Sequence, residues 1–82
     1  LPIYRVDLYN KEANEIIKIK TIWAQIESLN DYIIIRIRKE NLKEPSINYY
    51  FLLKNMKFEI LSYIPDFKRN SYWEFKCKLV NI

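Results

Sequence analysis

The side chains that could do chemistry are few in this sequence, and they are scattered. There is no histidine and a single cysteine, Cys77, so a nucleophile–histidine pair and a conventional zinc site are both excluded. There is no glycine either, which excludes the glycine-rich loops that bind phosphate groups. Several carboxylates lie in polar segments without the spacing of an acid–base couple; they belong to Glu12, Glu15, Glu40 and Glu44. We therefore expect no enzymatic activity, no bound metal and no cofactor.

Positive charge is the second chemical feature. The formal net charge is +4, and residues 32–82 carry ten basic and five acidic side chains, so the excess lies in this part of the chain. Within it, Arg36, Arg38 and Lys39 are candidates for facing DNA, because fixed positive charge offsets the repulsion of the phosphates. A solvated strand face, or salt bridges between subunits, is the competing interpretation of these three residues.

Aromatic residues are the third feature. Trp23 and Trp73 are either anchors of a protein interface or core residues. The run Tyr49, Tyr50 and Phe51 has the chemistry to stack on the bases of a nucleic acid. Because successive side chains of a strand point to opposite faces, a strand with one inward and one outward face is the favoured interpretation of that run.

The segments that position these residues alternate between apolar and polar side chains, which is typical of half-buried strands. Polar breaks separate them, and Pro45 marks the longest break, over residues 40–48. A tight turn is predicted at Lys54 and Asn55, because asparagine tolerates a positive φ. The predicted strands are residues 3–9, 16–29, 32–39, 49–53, 56–64 and 71–79, and the other breaks are residues 10–14 and 65–70.

The second segment, residues 16–29, is ambiguous between a helix and a strand. The spacing of one helix face is found for Ile19, Ile22, Trp23 and Ile26. Five of the seven residues from 16 to 22 are β-branched, however, and such residues lose rotamer freedom in a helix. One long strand, bulged near Lys20, is therefore favoured.

Six strands with short connections and no firm helix predict an all-β protein. We expect one domain over residues 1–82, a small six-stranded antiparallel β-barrel or sandwich. A barrel has the advantage that it leaves no open edge. Residues 58–64 and 73–79 are expected to pair as a hairpin, because their alternation matches across a short loop. No apolar run reaches the ~18 residues of a membrane span, so we expect no membrane contact.

The alternation also assigns side chains to the two faces of the strands. The expected core comprises Ile35, Ile37, Phe58, Ile60, Phe75 and Cys77. Large apolar residues also fall on the outward faces, where such patches usually mark contact surfaces. The candidate subunit interface comprises Trp23, Tyr32, Ile34, Leu61 and Tyr63, and the same faces carry Tyr50 and Leu52.

Two longer stretches resemble the phage head–tail joining, or head-closure, proteins. Residues 21–29, T-I-W-A-Q-I-E-S-L, are similar to that family's V-W-A-x-I-E-x-L segment. The F-E-I of residues 58–60, with Arg69 and residues 73–80, is similar to its closing F-E-I…R…L-x-L-x-C-x-E-V hairpin. Residues 4–8 and 32–39 are similar to its first and third strands, so the resemblance covers nearly the whole chain in the right order.

The resemblance implies a structural role without chemistry. Copies of the chain would form a ring, twelvefold or sixfold, below the portal or adaptor protein and above the tail terminator or tail tube. The ring would line the channel through which packaged DNA passes without sequence specificity, and Arg36, Arg38 and Lys39 would face that DNA. The protein would then be a head–tail connector of the bacteriophage neck, a virion structural protein assembled in the host cytoplasm.

The sequence departs from the family in two places. Asn55 stands where family members usually have a glycine before F-E-I. Only Asn30 and Asp31 stand where the family has a long insertion that projects toward the channel or a neighbouring subunit, which argues against a channel-plugging role. Two other interpretations remain. One is a small OB-like nucleic-acid-binding module, based on the basic second portion and residues 49–51; the other is a small host-directed inhibitor that occludes a partner.

Overall fold

The computed structural model of the protein describes residues 2–12 and 15–81, and within them the chain forms strands and no helix. The six strands are β1 (Ile3–Glu12), β2 (Glu15–Ser28), β3 (Ile33–Arg38), β4 (Tyr49–Leu53), β5 (Met56–Pro65) and β6 (Tyr72–Asn81). Neighbouring strands are antiparallel and close into a barrel in the order β1-β2-β3-β6-β5-β4. The prediction of an all-β, six-stranded antiparallel fold is confirmed. The described part of the chain contains no helix that is long and apolar enough to span a membrane.

The barrel is built from two three-stranded meanders, β1-β2-β3 and β4-β5-β6. Residues 39–48 connect them, and the barrel closes where β4 pairs with β1 and β6 pairs with β3. Because every pair is antiparallel, the β1–β2 and β5–β6 connections lie at the same end as residues 39–48, which we call the upper end. The β2–β3 and β4–β5 turns lie at the lower end.

The barrel interior is filled by the side chains that the alternation assigned to it. All six predicted core residues belong to one buried cluster: Ile35, Ile37, Phe58, Ile60, Phe75 and Cys77. The β5–β6 hairpin is paired as predicted, with Phe58 opposite Leu79. The remaining buried members of the cluster come from β1, β2, β4 and the 39–48 connection: Val6, Leu8, Ile22, Ala24, Leu42 and Phe51.

The second strand is one long strand with a bulge, as its β-branched residues predicted. Leu8 of β1 lies opposite Lys20, while the next residue, Tyr9, lies opposite Lys18. Ile19 is therefore the extra residue of the bulge. This position confirms the prediction of a bulge near Lys20.

The upper part of the β1–β2 hairpin extends beyond the barrel. β1 continues through residues 10–12, so the break predicted at residues 10–14 is wrong there, and Ala13 and Asn14 lie outside the described residues. β2 pairs with β3 only over residues 25–28. Within the described chain, residues 15–24 thus have no strand partner on the edge that faces away from β1.

A second bulge changes the direction in which the upper half of β5 faces. Consecutive residues of β6 lie opposite Ile60 and Ser62, so Leu61 is the extra residue. An inserted residue reverses the alternation beyond it. Tyr63 therefore lies opposite the buried Phe75, on the inner side of the sheet and not on the outward face predicted for it, although its side chain stays 37% exposed at the upper rim. Leu61 itself is exposed, as expected.

A chain without glycine makes its tight turns with other residues. The β4–β5 turn has two central residues, as predicted at Lys54 and Asn55. The residue with a positive φ is Lys54, at 56°, and not Asn55, on which the turn prediction rested. Asn70 takes the same left-handed conformation, at 54°, just before β6. The left-handed lysine costs roughly 1–2 kcal/mol, which the pairing of β4 with β5 has to offset.

Residues 39–48 close the upper end of the barrel and contain no strand, as predicted for residues 40–48. Leu42 turns inward and joins the core. Its carbonyl oxygen accepts a hydrogen bond from the indole Nε1 of Trp73 at 2.8 Å. Trp73 packs against the same core, so the interpretation of this residue as a core residue is confirmed.

Candidate functional site

A row of alternating arginine and aromatic side chains crosses four neighbouring strands on the outer surface. Arg5 of β1 lies opposite Trp23 of β2, and its guanidinium carbon is 5.5 Å from the indole centroid. Arg38 of β3 lies opposite Tyr72 of β6, and its guanidinium carbon is 5.3 Å from the phenol centroid. Both distances are those of cation–π contacts.

A groove separates Trp23 from Arg38. It exists because β2 leaves the β3 ladder above Gln25, so that these two side chains do not face each other across paired strands. A cavity of about 70 Å³ lies at this gap, and a second, of about 300 Å³, continues toward the β5–β6 connection. Gln25, Arg36 and Tyr72 line both cavities, which makes them one groove. We call it the Trp23 groove; its further wall is formed by Asp66, Lys68 and Arg69.

Arg36 forms the floor of the groove and is paired within the chain. Its Nη1 is 3.0 Å from a carboxylate oxygen of Glu27, and its Nε is 3.1 Å from one of Glu74. Partial burial alone would lower the pKa of the guanidinium, but the hydrogen bonds and charges of the two carboxylates outweigh it and raise the pKa. The positive charge of Arg36 is therefore locally balanced, which weakens the expectation that it faces DNA.

The other two residues predicted to face DNA have different surroundings. Arg38 lines the groove, and its Nη1 is 3.5 Å from a carboxylate oxygen of Glu40. Both side chains are mostly exposed, and a pair of that kind contributes little. The ammonium of Lys39 instead lies over the ring of Trp73 at 4.6 Å and donates to Oδ1 of Asn70. Only Arg38 of the three presents a weakly paired charge to the groove.

The β5–β6 connection holds two further cations beside the groove. The carboxylate of Asp66 accepts the backbone N–H groups of Lys68 and Arg69, each at 3.3 Å. Its backbone carbonyl accepts the N–H of Asn70 at 3.0 Å. These bonds close the turn that carries Lys68 and Arg69. Phe67, at the tip of this connection, is 86% exposed.

The aromatic run at residues 49–51 is not a stacking surface. Phe51 is fully buried and meets Phe75 edge to face, with ring centroids 5.3 Å apart. Tyr50 is stacked on Tyr9 at 5.2 Å, and the ammonium of Lys57 covers it at 4.5 Å. The favoured interpretation, one inward and one outward strand face, is confirmed. Among the exposed aromatic rings, that of Trp23 lies against an arginine, a relationship that sequence reasoning did not identify.

The five residues predicted to form a subunit interface do not share one surface. Trp23 and Leu61 are exposed, on β2 and β5. Ile34 is only 8% exposed although it faces outward, because it lies between the long side chains of Glu27 and Lys76 on the neighbouring strands.

The other two predicted interface residues are engaged within the chain. The ammonium of Lys76 lies 4.5 Å from the ring centroid of the half-buried Tyr32. Tyr63 packs against Phe75 and Trp73, with ring centroids 5.8 and 6.1 Å apart. Tyr32, Ile34 and Tyr63 therefore offer less contact area than the alternation predicted.

Two other exposed apolar surfaces lie near the upper end of the barrel. The first, which we call the β2 arm, is the part of the hairpin that extends beyond the barrel and exposes Ile16, Ile17 and Ile19, with the consecutive Ile16 and Ile17 on opposite faces of the strand. The second, which we call the β5 surface, consists of Leu61, Ile64 and Phe67. β2 and β5 lie on opposite sides of the closed barrel.

The remaining reactive groups are isolated. Cys77 lies in the core, and burial raises the pKa of its thiol to about 12, so the prediction that it behaves as a small hydrophobe is confirmed. Across residues 2–12 and 15–81, no three His, Cys, Asp or Glu side chains come together as ligands for a metal.

Comparison with family models, curated proteins and solved structures finds no match to this chain.

Proposed function

We propose that this chain is a structural, non-enzymatic protein that assembles with copies of itself into a ring, in the role of a head–tail joining protein of a phage neck. In that role it would sit below the portal or adaptor and above the tail terminator or tail tube, and packaged DNA would pass through its channel. The resemblance of the sequence and the closed barrel support this proposal. The exposed apolar residues on the outside of the barrel support the assembly of copies of the chain.

The observation that carries the proposal is the pair of apolar surfaces on opposite sides of the barrel. Ile16 and Ile17 of the β2 arm are 61% and 51% exposed, and Leu61 of the β5 surface is 48% exposed. A monomer seldom leaves contiguous apolar surface uncovered, so such patches usually mark contacts. Two different surfaces on one chain favour a head-to-tail contact, which produces a ring when the rotation closes.

The unpaired edges of the same two strands carry features that prevent them from pairing with strands of other copies. The unpaired part of β2 carries Lys18 and the bulge at Ile19. β4 pairs with β5 only over residues 56–59, and the part of β5 above them carries Pro65 and the bulge at Leu61. Lysines, prolines and bulges are the devices that stop edge strands from adding to one another. We therefore expect the copies to meet through side-chain packing of the β2 arm on the β5 surface, which favours a closed assembly over a fibre.

The mass of the full chain in solution tests the proposal. Native mass spectrometry should find a defined multiple of 10.1 kDa. Ile17→Lys in the β2 arm and Leu61→Asp in the β5 surface should each yield a folded monomer. Leu29→Lys, in the exposed lower turn, is the matched control and should leave the assembly intact.

Mixing the two variants distinguishes a head-to-tail contact from a self-complementary one. Each variant retains the surface that the other has lost, so a mixture should form a heterodimer and stop there. A wild-type chain that stays at the monomer mass up to its solubility limit contradicts the ring. A Leu61→Asp variant that still dimerises through its arm contradicts the head-to-tail contact.

A further inference from the structure

We propose that the Trp23 groove binds single-stranded nucleic acid, with a base stacked on the indole of Trp23 and phosphates along Arg38, Lys68 and Arg69. The site goes beyond assembly into a ring, and it is present on each single chain. It also differs from the aromatic run at residues 49–51, on which the sequence-based hypothesis of a nucleic-acid-binding module rested.

The proposed stacking surface is the side chain of Trp23, which does not contribute to the core. Trp23 is 56% exposed and lies on the outer side of β2, away from the core cluster. The guanidinium of Arg5 lies against its ring and holds it in place. Tyr72, across the groove, repeats the arrangement with Arg38 and offers a second ring. Aromatic rings in a cationic groove are the arrangement by which proteins bind single strands without sequence preference.

The charges along the groove favour an anion. Lys68 and Arg69 make no ion pair among the described residues, and Arg38 has only the exposed pair with Glu40. Glu27 and Glu74 are paired with Arg36, whereas Asp66 accepts backbone N–H groups and keeps its negative charge on the groove wall. Apart from the balanced Arg36, the groove lining carries three cations, Arg38, Lys68 and Arg69, and one carboxylate, Asp66, and this excess of positive charge suits a phosphate backbone.

The geometry favours a single strand over a duplex. In a duplex the faces of the bases are stacked on one another, and the indole of Trp23 stands on the wall of the groove, where it requires an unpaired base. The upper edge of β2 has no strand partner at this point, so nothing in the described chain closes over the gap between Trp23 and Arg38. A flexible single strand can follow the groove from this gap toward Lys68 and Arg69.

Binding of a fluorescein-labelled oligothymidylate of twelve nucleotides, followed by anisotropy with the full chain, tests the site. Trp23→Ala should weaken binding about 5- to 150-fold, the loss expected when one base loses its stacking partner. Trp23→Phe should retain most of the affinity. Lys68→Gln with Arg69→Gln should weaken binding and flatten its salt dependence by about 0.7 per lost phosphate contact in log–log slope. Lys78→Gln, an exposed lysine at the lower end of β6, is the control and should bind like wild type.

Other probes separate this site from the alternatives. A duplex of the same length and polyglutamate should each bind at least about tenfold more weakly than the single strand, since neither offers a free base. Equal binding of the duplex, or of polyglutamate, overturns the proposal, as does a Trp23→Ala variant that binds like wild type while its circular dichroism is unchanged. Native mass spectrometry of the same samples reports the oligomeric state separately. A monomer that binds, or a ring that does not, therefore shows which of the two proposals has failed.

Discussion

Tyr63 lies directly opposite Phe75 across the β5–β6 ladder, with their ring centroids 5.8 Å apart. An unbroken alternation from Phe58 would have placed Tyr63 on the outer surface. The bulge at Leu61 adds one residue, and everything above it on β5 changes face. One backbone irregularity thus moves an aromatic side chain from a potential contact surface to the upper rim of the core.

This relationship predicts opposite responses at two neighbouring positions. Tyr63→Ala should lower the free energy of unfolding by roughly 2 kcal/mol, because it removes ring contacts with Phe75 and Trp73 at a partly exposed site. Leu61→Ala should change it by no more than about 0.5–1 kcal/mol, because this side chain points to solvent. Urea denaturation at a concentration where the chain is monomeric measures both. Equal losses at the two positions would place Leu61 in the core as well.

Two phenylalanines, one buried and one exposed, allow the core to be compared with the surface. Phe58→Ala should cost on the order of 3–5 kcal/mol, because Phe58 is 3% exposed and its removal leaves a cavity. Phe67→Ala, at the exposed tip of the β5–β6 connection, should stay within about 0.5 kcal/mol of wild type. Chemical denaturation of the two variants side by side is the measurement. A change below ~1 kcal/mol for Phe58→Ala would move that residue to the surface.

The alternation of side chains predicts most of this fold because a barrel has one buried and one exposed face. Ile35 and Ile37 on β3, and Phe75 and Cys77 on β6, follow a strict period of two and lie in the core as predicted. The alternation fails at the bulge at Leu61, where no glycine marks the extra residue. A bulge is a property of how two strands pair, so one strand's sequence carries little sign of it.

The candidate groove depends on strand order, which the alternation does not contain. Trp23 and Tyr72 come close because β6 pairs with β3, after the connection over residues 39–48 has crossed the upper end of the barrel. Once that register is known, Arg5 falls opposite Trp23 and Arg38 falls opposite Tyr72. The repeated pairing of an arginine with an aromatic residue is the signal that would have identified the groove. The alternation also does not predict the burial of Ile34, because this burial depends on Glu27 and Lys76 from two other strands.

The stability of the barrel should fall in acid in a way that depends on Asp7. A hydrogen bond from the hydroxyl of Thr21, at 2.6 Å, lowers the pKa of the Asp7 carboxyl below its ordinary 3.8, with a smaller contribution from Lys18 at 3.3 Å. A carboxyl whose pKa is lower in the folded state stabilises the fold above its unfolded pKa, and this contribution is lost as the pH falls through the folded value. Thr21→Val should therefore lose less stability than wild type between about pH 6 and pH 2.

Urea denaturation at several pH values checks this dependence, and Asp7→Asn provides a second variant. Because Asp7→Asn removes the ionisable group itself, its acid dependence should be flatter than that of wild type as well. Identical acid slopes in wild type and both variants would show that the Thr21–Asp7 hydrogen bond does not persist in solution.

The thiol of Cys77 should report on the opening of the whole barrel. It is fully buried between Ile33 and Ile60 on the neighbouring strands, and burial raises the pKa of the thiol from its ordinary 9.0 to about 12. Because the thiolate is the reactive form, a maleimide at about pH 8 should label the native chain only as fast as it unfolds, and urea should accelerate the labelling. The raised pKa also predicts that stability declines as the pH rises above about 9, since the unfolded chain then loses this proton more readily. Labelling at the rate of a free peptide thiol, without urea, would contradict the burial of Cys77, and Cys77→Ala is the control for reaction elsewhere.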